Sequence, residues 1–228
     1  MRVIAIVGSD GAGKSTLAAR LVAELRRQGP VEQLYLGQSS GRIADWIATL
    51  PLVGRPLDRY LRRKSEEVHA RKSAPPGTAA AVVIYLLSRW RAHQFRRLLR
   101  KCRRGVLIVT DRYPQAEVPG FRFDGPQLAK TPGGNGLVRR LAASELRLYQ
   151  WMAAHVPLLV IRLDIDAETA HARKPDHKLA ELREKTAVLP RLTYNGAPIL
   201  ALDARAPAET VLDAVLRATR AALATAPG

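Results

Sequence analysis

The chain has 228 residues, 47% of them hydrophobic and 25% charged, with a formal charge of +17 and one cysteine. That length and apolar share suit one domain with a full core, and the lone Cys102 excludes an intrachain disulfide and points to a reducing compartment. The longest apolar stretch, 79–87, is too short to span a bilayer and the N-terminal run too short for a secretory signal, so a cytoplasmic protein is expected.

The elements follow in chain order. Residues 2–7, apolar and β-branched, read as a buried parallel strand. The glycine-rich stretch GSDGAGKST occupies 8–16. Leu17, Leu21, Val22 and Leu25 recur at helical spacing over 15–28, and Gly29 and Pro30 stop that helix. A second strand is expected over 31–36, a polar turn over 37–41, a short helix over 42–50 and a basic amphipathic helix over 57–73. Pro75, Pro76 and Gly77 break the chain, and a long helix runs from Gly77 or Thr78 to about Arg103. The third strand is VLIVT, within 105–110, and a Gly- and Pro-rich loop fills 114–136. A helix over 137–155, a strand over 157–163 and a helix over 167–173 come next. A charged, partly helical segment over 174–189, a fifth strand over 199–203 and a closing helix over 207–224 complete the order. Strands alternating with helices predict a five-stranded parallel sheet with helices on both faces, in one domain over 1–228. Segments 114–136 and 171–189 are expected to be the least ordered.

Two motifs carry chemistry. Gly8, Gly13, Lys14 and Ser15 fit G-x-x-x-x-G-K-[ST], placed between a strand and a helix as a phosphate-binding loop requires. Gly8, Gly11, Ala12, Gly13, Lys14, Ser15 and Thr16 can turn backbone N–H groups toward phosphates, and the helix that follows adds its positive dipole end. Lys14 can bridge the β- and γ-phosphates, and the Ser15 hydroxyl can ligate magnesium. ATP and Mg2+ are therefore the expected cofactors. Asp10 is unusual, because a carboxylate inside an anion cradle weakens it unless it holds a substrate hydroxyl or a metal-bound water. The second motif is TDRYP, 110–114. Asp111, at the C-terminal end of a central strand, lies where doubly wound folds bind ligands and is placed to hold magnesium. Arg112 then faces the substrate side, with a planar fork suited to a monophosphate.

GSDGAGKST followed by a strand ending in DRY resembles the thymidylate kinase group of P-loop nucleoside monophosphate kinases, over most of the chain in order of elements. The resemblance implies a P-loop kinase three-layer sandwich with a lid, here over 171–189. It implies phosphoryl transfer from ATP to a nucleoside monophosphate, dTMP to dTDP first of all. It places Asp10 beside the acceptor and metal, and Arg112 on the acceptor's phosphate. It also expects an acceptor-facing arginine within LLSRWRAH on the long helix, either Arg89, the first choice, or Arg91. Arg173 falls where the lid begins, and Lys174, Lys178, Arg183 and Lys185 crowd the same segment. Lys14, Asp10, Arg112 and Arg173 are thus the expected catalytic set. Homodimers are common in that group.

The chain departs from the group's pattern on the acceptor side. YLGQSSGR replaces an arginine-bearing Pro-Gly stretch, with Arg42 as a substitute, and DRYPQAE lacks the serine expected after DRY. The acceptor-side loop 114–136 is long. These segments leave open another phosphorylated small molecule as acceptor. Glu145, Tyr149 and Trp151 are either pocket-lining residues or helix packing.

Other functional classes fit less well. The arginines are scattered through an alanine-rich chain without zinc-finger spacing or an RNA-binding aromatic pattern, which favours solvated faces over a nucleic-acid surface. A P-loop NTPase coupled to nucleic acid needs switch or N-K-x-D elements that are absent. Intact Gly13, Lys14, Ser15 and Asp111 argue against a degenerate, non-catalytic module. His69, His93, His155, His171 and His177 are dispersed and give no metal-ligand spacing, and no G-x-S-x-G occurs.

Overall fold

The computed structural model describes residues 1–37, 76–130 and 133–225. The helices expected over 42–50 and 57–73, most of the turn over 37–41, Arg42 and His69 lie outside those residues.

Five parallel strands form one sheet in the order β2-β3-β1-β4-β5. They are β1 (Val3–Gly8), β2 (Val31–Tyr35), β3 (Leu107–Asp111), β4 (Leu159–Asp164) and β5 (Ile199–Asp203). β1 and β3 are buried along their whole length: VIAIVG is apolar throughout, and LIVTD ends in Thr110 and Asp111, whose side chains are hydrogen-bonded to Arg112 and Ser15. The outer strands β2 and β5 are only partly covered, and β2 carries Glu32 and Gln33.

The described helices are α1 (Lys14–Leu25), α2 (Thr78–Arg103), α3 (Gly136–Ala153), α4 (Ala167–Arg173), α5 (Leu179–Val188) and α6 (Ala208–Thr225). Alternation along β1 sends its side chains to two cores. Ile4 and Ile6 pack with Leu17, Leu21 and Leu25 of α1 and Val215 of α6. Val3, Ala5 and Val7 pack with Phe95 and Leu98 of α2 and Tyr149 and Met152 of α3. Each such fully buried side chain contributes roughly 1.5–3 kcal/mol of transfer free energy. The result is three layers, the α/β fold of P-loop kinases.

Local chemistry sets the element boundaries. Asn135 caps α3 by accepting from the Val138 N–H at 2.9 Å, and Asp166 caps α4 by accepting from Thr169 at 2.7 Å. At the other end of α2, the Gly105 and Val106 N–H groups donate to Cys102 and Lys101 carbonyls, with Gly105 at φ 80. Those two residues are still closing the helix, so β3 begins at Leu107 rather than at 105.

Segment 114–136, expected as plain loop, contains two 3-10 turns, Phe121–Phe123 and Leu128–Lys130. Buried Gln115 knits its first half. Its Nε2 donates to the Val118 and Phe123 carbonyls, and its Oε1 accepts from the Glu117 and Val118 N–H groups. Segment 171–189 is largely helical, from the end of α4 through α5.

Because β1 lies between β3 and β4, the chain leaves the sheet in opposite directions on its two sides, and a crevice opens at the strands' C-terminal ends. The register Ile6↔Asp111 brings the loop after β1 and the end of β3 to that crevice. No helix among the described residues is long and apolar enough to cross a membrane.

Candidate functional site

The loop after β1 is a close-fitting turn. Gly11 and Gly13 adopt φ 85 and φ 84, and a Cβ on Gly11 would stand 2.7 Å from the Ala170 carbonyl oxygen of α4. Only glycine combines that backbone with that approach. α1 starts at Lys14 behind Gly13, so its free N–H groups and dipole point into the turn. Lys14 is buried and its Nζ donates to the Ser9 carbonyl at 2.7 Å. Burial first, then the neighbouring Lys185 and Arg112 charges, lower its pKa to about 8, against the opposing pull of Asp10 and Asp111.

On the β3 side, the Ser15 hydroxyl donates to Asp111 Oδ2 at 2.6 Å. Asp111 is buried, and its Oδ1 has no hydrogen-bond partner. A hydroxyl and a carboxylate with a spare buried oxygen form a hard donor set that fits Mg2+ and its waters. Among the described residues no three His, Cys, Asp or Glu side chains gather as a metal cluster.

Asp10 is the hub. Its Oδ1 accepts from Arg112 Nη2 at 2.9 Å, its Oδ2 from Lys185 Nζ at 2.9 Å, and Lys14 Nζ stands at 3.9 Å. Burial alone would raise its carboxyl, but the Lys185, Lys14 and Arg112 charges outweigh it and hold the group far below the usual carboxylate range. Arg112 reaches this position through a left-handed backbone, φ 70, which costs an ordinary residue about 1–2 kcal/mol. Two hydrogen bonds hold that backbone: its N–H to the Ile6 carbonyl, and the Thr110 hydroxyl to its own carbonyl, both at 3.0 Å.

A second carboxylate meets the same arginine. Asp124 Oδ1 accepts from Arg91 Nη2 at 2.9 Å, and its Oδ2 lies 3.7 Å from Arg112 Nη1. Arg91 is 1% exposed and sits over the Tyr149 ring, 5.7 Å from its centroid. Arg122, two residues before Asp124, donates to Glu181 at 2.5 Å and Glu184 at 2.9 Å, tying this turn to α5.

Lys14, Ser15, Asp10, Asp111 and Arg112 are thus brought together as the sequence leads one to expect. Arg89 is not. It lies on the exposed face of α2, because the buried stripe runs through Ser88, Arg91, Ala92 and Phe95, and Arg91 is the arginine that enters the cluster. Arg173 is exposed and donates to the backbone carbonyls of Gly11 at 3.5 Å and Ala204 at 3.0 Å. Of the cations in the segment 171–189, Arg173 touches the loop's backbone and Lys185 pairs with its Asp10 carboxylate. Glu145 is a packing residue: buried between α2 and α3, it accepts from the Ser88 hydroxyl and the Leu128 N–H, each at 2.7 Å. Trp151 packs edge-on against Phe95. Asp124 has no place among the sequence candidates, and its one signal is the Asp-Gly pair in FRFDGPQ.

The chain is 63% identical to YghS of Escherichia coli K12, covering 98% of the chain and 94% of YghS. It is 45% identical to YghR of the same strain, over 95% of the chain and 86% of YghR. Both relatives are described as uncharacterized ATP-binding proteins. A thymidylate kinase of Alkalilimnicola ehrlichii is 29% identical over 75% of the chain and 65% of its own length. No protein-family model matches the chain.

Proposed function

The chain belongs to the family of YghS and YghR, and from that kinship we propose that it binds ATP over residues 8–16 and passes the γ-phosphoryl group to a nucleoside monophosphate, dTMP first of all. One observation carries the reading: Asp10 of the glycine loop pairs at 2.9 Å with Arg112 at the end of β3. An arginine fork suited to a monophosphate therefore stands against the cradle for the triphosphate. The likeness to a thymidylate kinase supports the same assignment.

In this reading each residue has a role. The loop N–H groups and Lys14 hold the triphosphate. Ser15 and Asp111 would hold magnesium, which when bound supplies charge neutralisation on the phosphates. Arg112 and Arg91 present two guanidinium groups to the acceptor's phosphoryl group, and Asp10 keeps Arg112 aimed. An oxygen of the acceptor's phosphate attacks the γ-phosphorus in line, the bond to the β,γ-bridging oxygen breaks, and ADP departs with that electron pair. A monophosphate with a second pKa near 6 is already mostly ionised at neutral pH, so no general base is needed. Lys14 and Lys185 neutralise charge during transfer, and Arg173 steadies the loop from outside through the Gly11 carbonyl.

The test is an acceptor screen: protein, ATP and magnesium with each nucleoside monophosphate in turn, products read by mass spectrometry. The expected product is dTDP from dTMP, with slow or no turnover of the others. ATP binding without a diphosphate from any nucleotide would overturn this acceptor class and move the search to other phosphorylated small molecules.

A further inference from the structure

We propose that Asp124 is a built-in anion that occupies the Arg91–Arg112 pair and has to swing out before the acceptor's phosphoryl group can enter. The inference rests on the reading above that these arginines receive that group. One carboxylate spans both guanidiniums, 2.9 Å from Arg91 through Oδ1 and 3.7 Å from Arg112 through Oδ2. That is the bridging placement an acceptor's phosphate oxygens would take between the same forks.

The surroundings fit a displaceable occupant. Four cations, Lys14, Arg91, Arg112 and Lys185, face Asp10 and Asp124 here, with Asp111 engaged by Ser15. Asp10 contacts three of those cations and cannot leave without exposing all of them to one another. Asp124 is the outlying carboxylate, with a single short pair. Its backbone stays fixed: φ is 60, its carbonyl accepts from the Gln115 N–H at 3.2 Å, and its N–H donates to the Phe121 carbonyl at 3.2 Å. Side-chain rotation therefore takes the carboxylate off both arginines, while Arg91 Nη1 keeps its 3.4 Å hydrogen bond to the Asp124 backbone carbonyl. Asp124 also leaves Arg91 incompletely satisfied, since the buried Nε has no acceptor. A phosphoryl group offers three terminal oxygens where the carboxylate offers two. While Asp124 stays, an entering dianion meets a like charge, so Asp124 sets a threshold that an acceptor has to exceed with its other contacts.

The experiment measures binding of inorganic phosphate by calorimetry, with the glycine loop saturated by a non-hydrolysable ATP analogue and magnesium. Asp124→Asn keeps an oxygen for Arg91 and removes the charge. It is expected to bind phosphate about fivefold more tightly than the wild type, and the gain is expected to vanish in the Arg112→Gln/Asp124→Asn double variant. Asp124→Ala guards against a folding artefact. It should melt earlier than the wild type, and phosphate should raise its melting temperature more than it raises that of the wild type. Unchanged or weaker phosphate binding by Asp124→Asn, or a gain that survives loss of Arg112, would overturn the proposal. A wild type that phosphorylates no nucleoside monophosphate defeats the acceptor assignment alone, because the phosphate titration does not depend on which acceptor is used.

Discussion

Asp10 and Arg112 are 102 residues apart in sequence and 2.9 Å apart in space. Parallel pairing of β1 with β3 brings them together, and the carboxylate then binds Lys185 through its second oxygen. Asp10→Asn leaves three cations with half-empty coordination in a buried cluster. Removing one partner of such a group is expected to cost about 3 kcal/mol, read by urea unfolding at pH 7. The sign of the pH dependence follows from the depressed carboxyl. Its contribution is fully present above the unfolded pKa, about 3.9, and is lost as pH falls below it. Wild-type and variant stabilities should converge in acid. A gap that stays constant into strong acid would show that the carboxylate is not held by its cations.

Lys14 gives a second pH signature. Its pKa near 8 in the free protein means that its charge fades as pH rises through that value, while bound triphosphate would restore it. ATP affinity should be level below about pH 8 and fall above it, approaching about tenfold per pH unit. Fluorescence or calorimetric titration across that range checks this. A flat profile to pH 9.5 would remove Lys14 as the titrating ligand. Lys14→Ala should retain the fold and lose turnover.

Much of this arrangement is legible in the sequence, and the rest is hidden for physical reasons. Apolar runs such as VIAIV and LIV mark central strands because both faces are buried, and the polar groups that follow in β3, Thr110 and Asp111, are buried with hydrogen-bond partners. The glycine loop is legible because its backbone demands are severe. Arg91 is harder, since it lies only two residues from Arg89; only the stripe Ala81, Ser88, Arg91, Phe95 and Leu98 identifies the buried one. Lys185 lies on the stripe Leu182, Lys185 and Leu189, a cation on an apolar face, and that spacing is a usable signal. Asp124 is hidden because loop geometry, not periodicity, carries it to the arginines.

Gly11 and Gly13 share nearly the same backbone angle but not the same surroundings. A methyl group on Gly11 collides with the Ala170 carbonyl, whereas nothing lies within 4 Å of one on Gly13. Gly13→Ala should cost only the conformational penalty, about 1–2 kcal/mol. Gly11→Ala should cost more, because α4 has to move away from the loop and takes Arg173 with it. Urea unfolding of the two variants without nucleotide checks the contrast. Equal losses would mean that contact with α4 does not shape the loop.

Arg173 and Lys185 compete for the charge-neutralising role in the proposed phosphoryl transfer. Arg173 sits at the surface on two carbonyl oxygens, while Lys185 is 5% exposed on its side chain and 2.9 Å from Asp10. Burial and the Arg112 charge lower the Lys185 pKa, and the Asp10 carboxylate opposes them. A desolvated ammonium in that position acts on nearby phosphoryl oxygens far more strongly than a screened surface charge. Lys185→Met should therefore lower kcat about 100-fold or more, with the KM for ATP changed far less. Arg173→Ala should act mainly on that KM, through the Gly11 carbonyl it steadies. The same steady-state titrations decide between them. A large kcat loss in Arg173→Ala with Lys185→Met near wild type would give the proposed catalytic role to Arg173 and leave Lys185 as a counter-ion to Asp10.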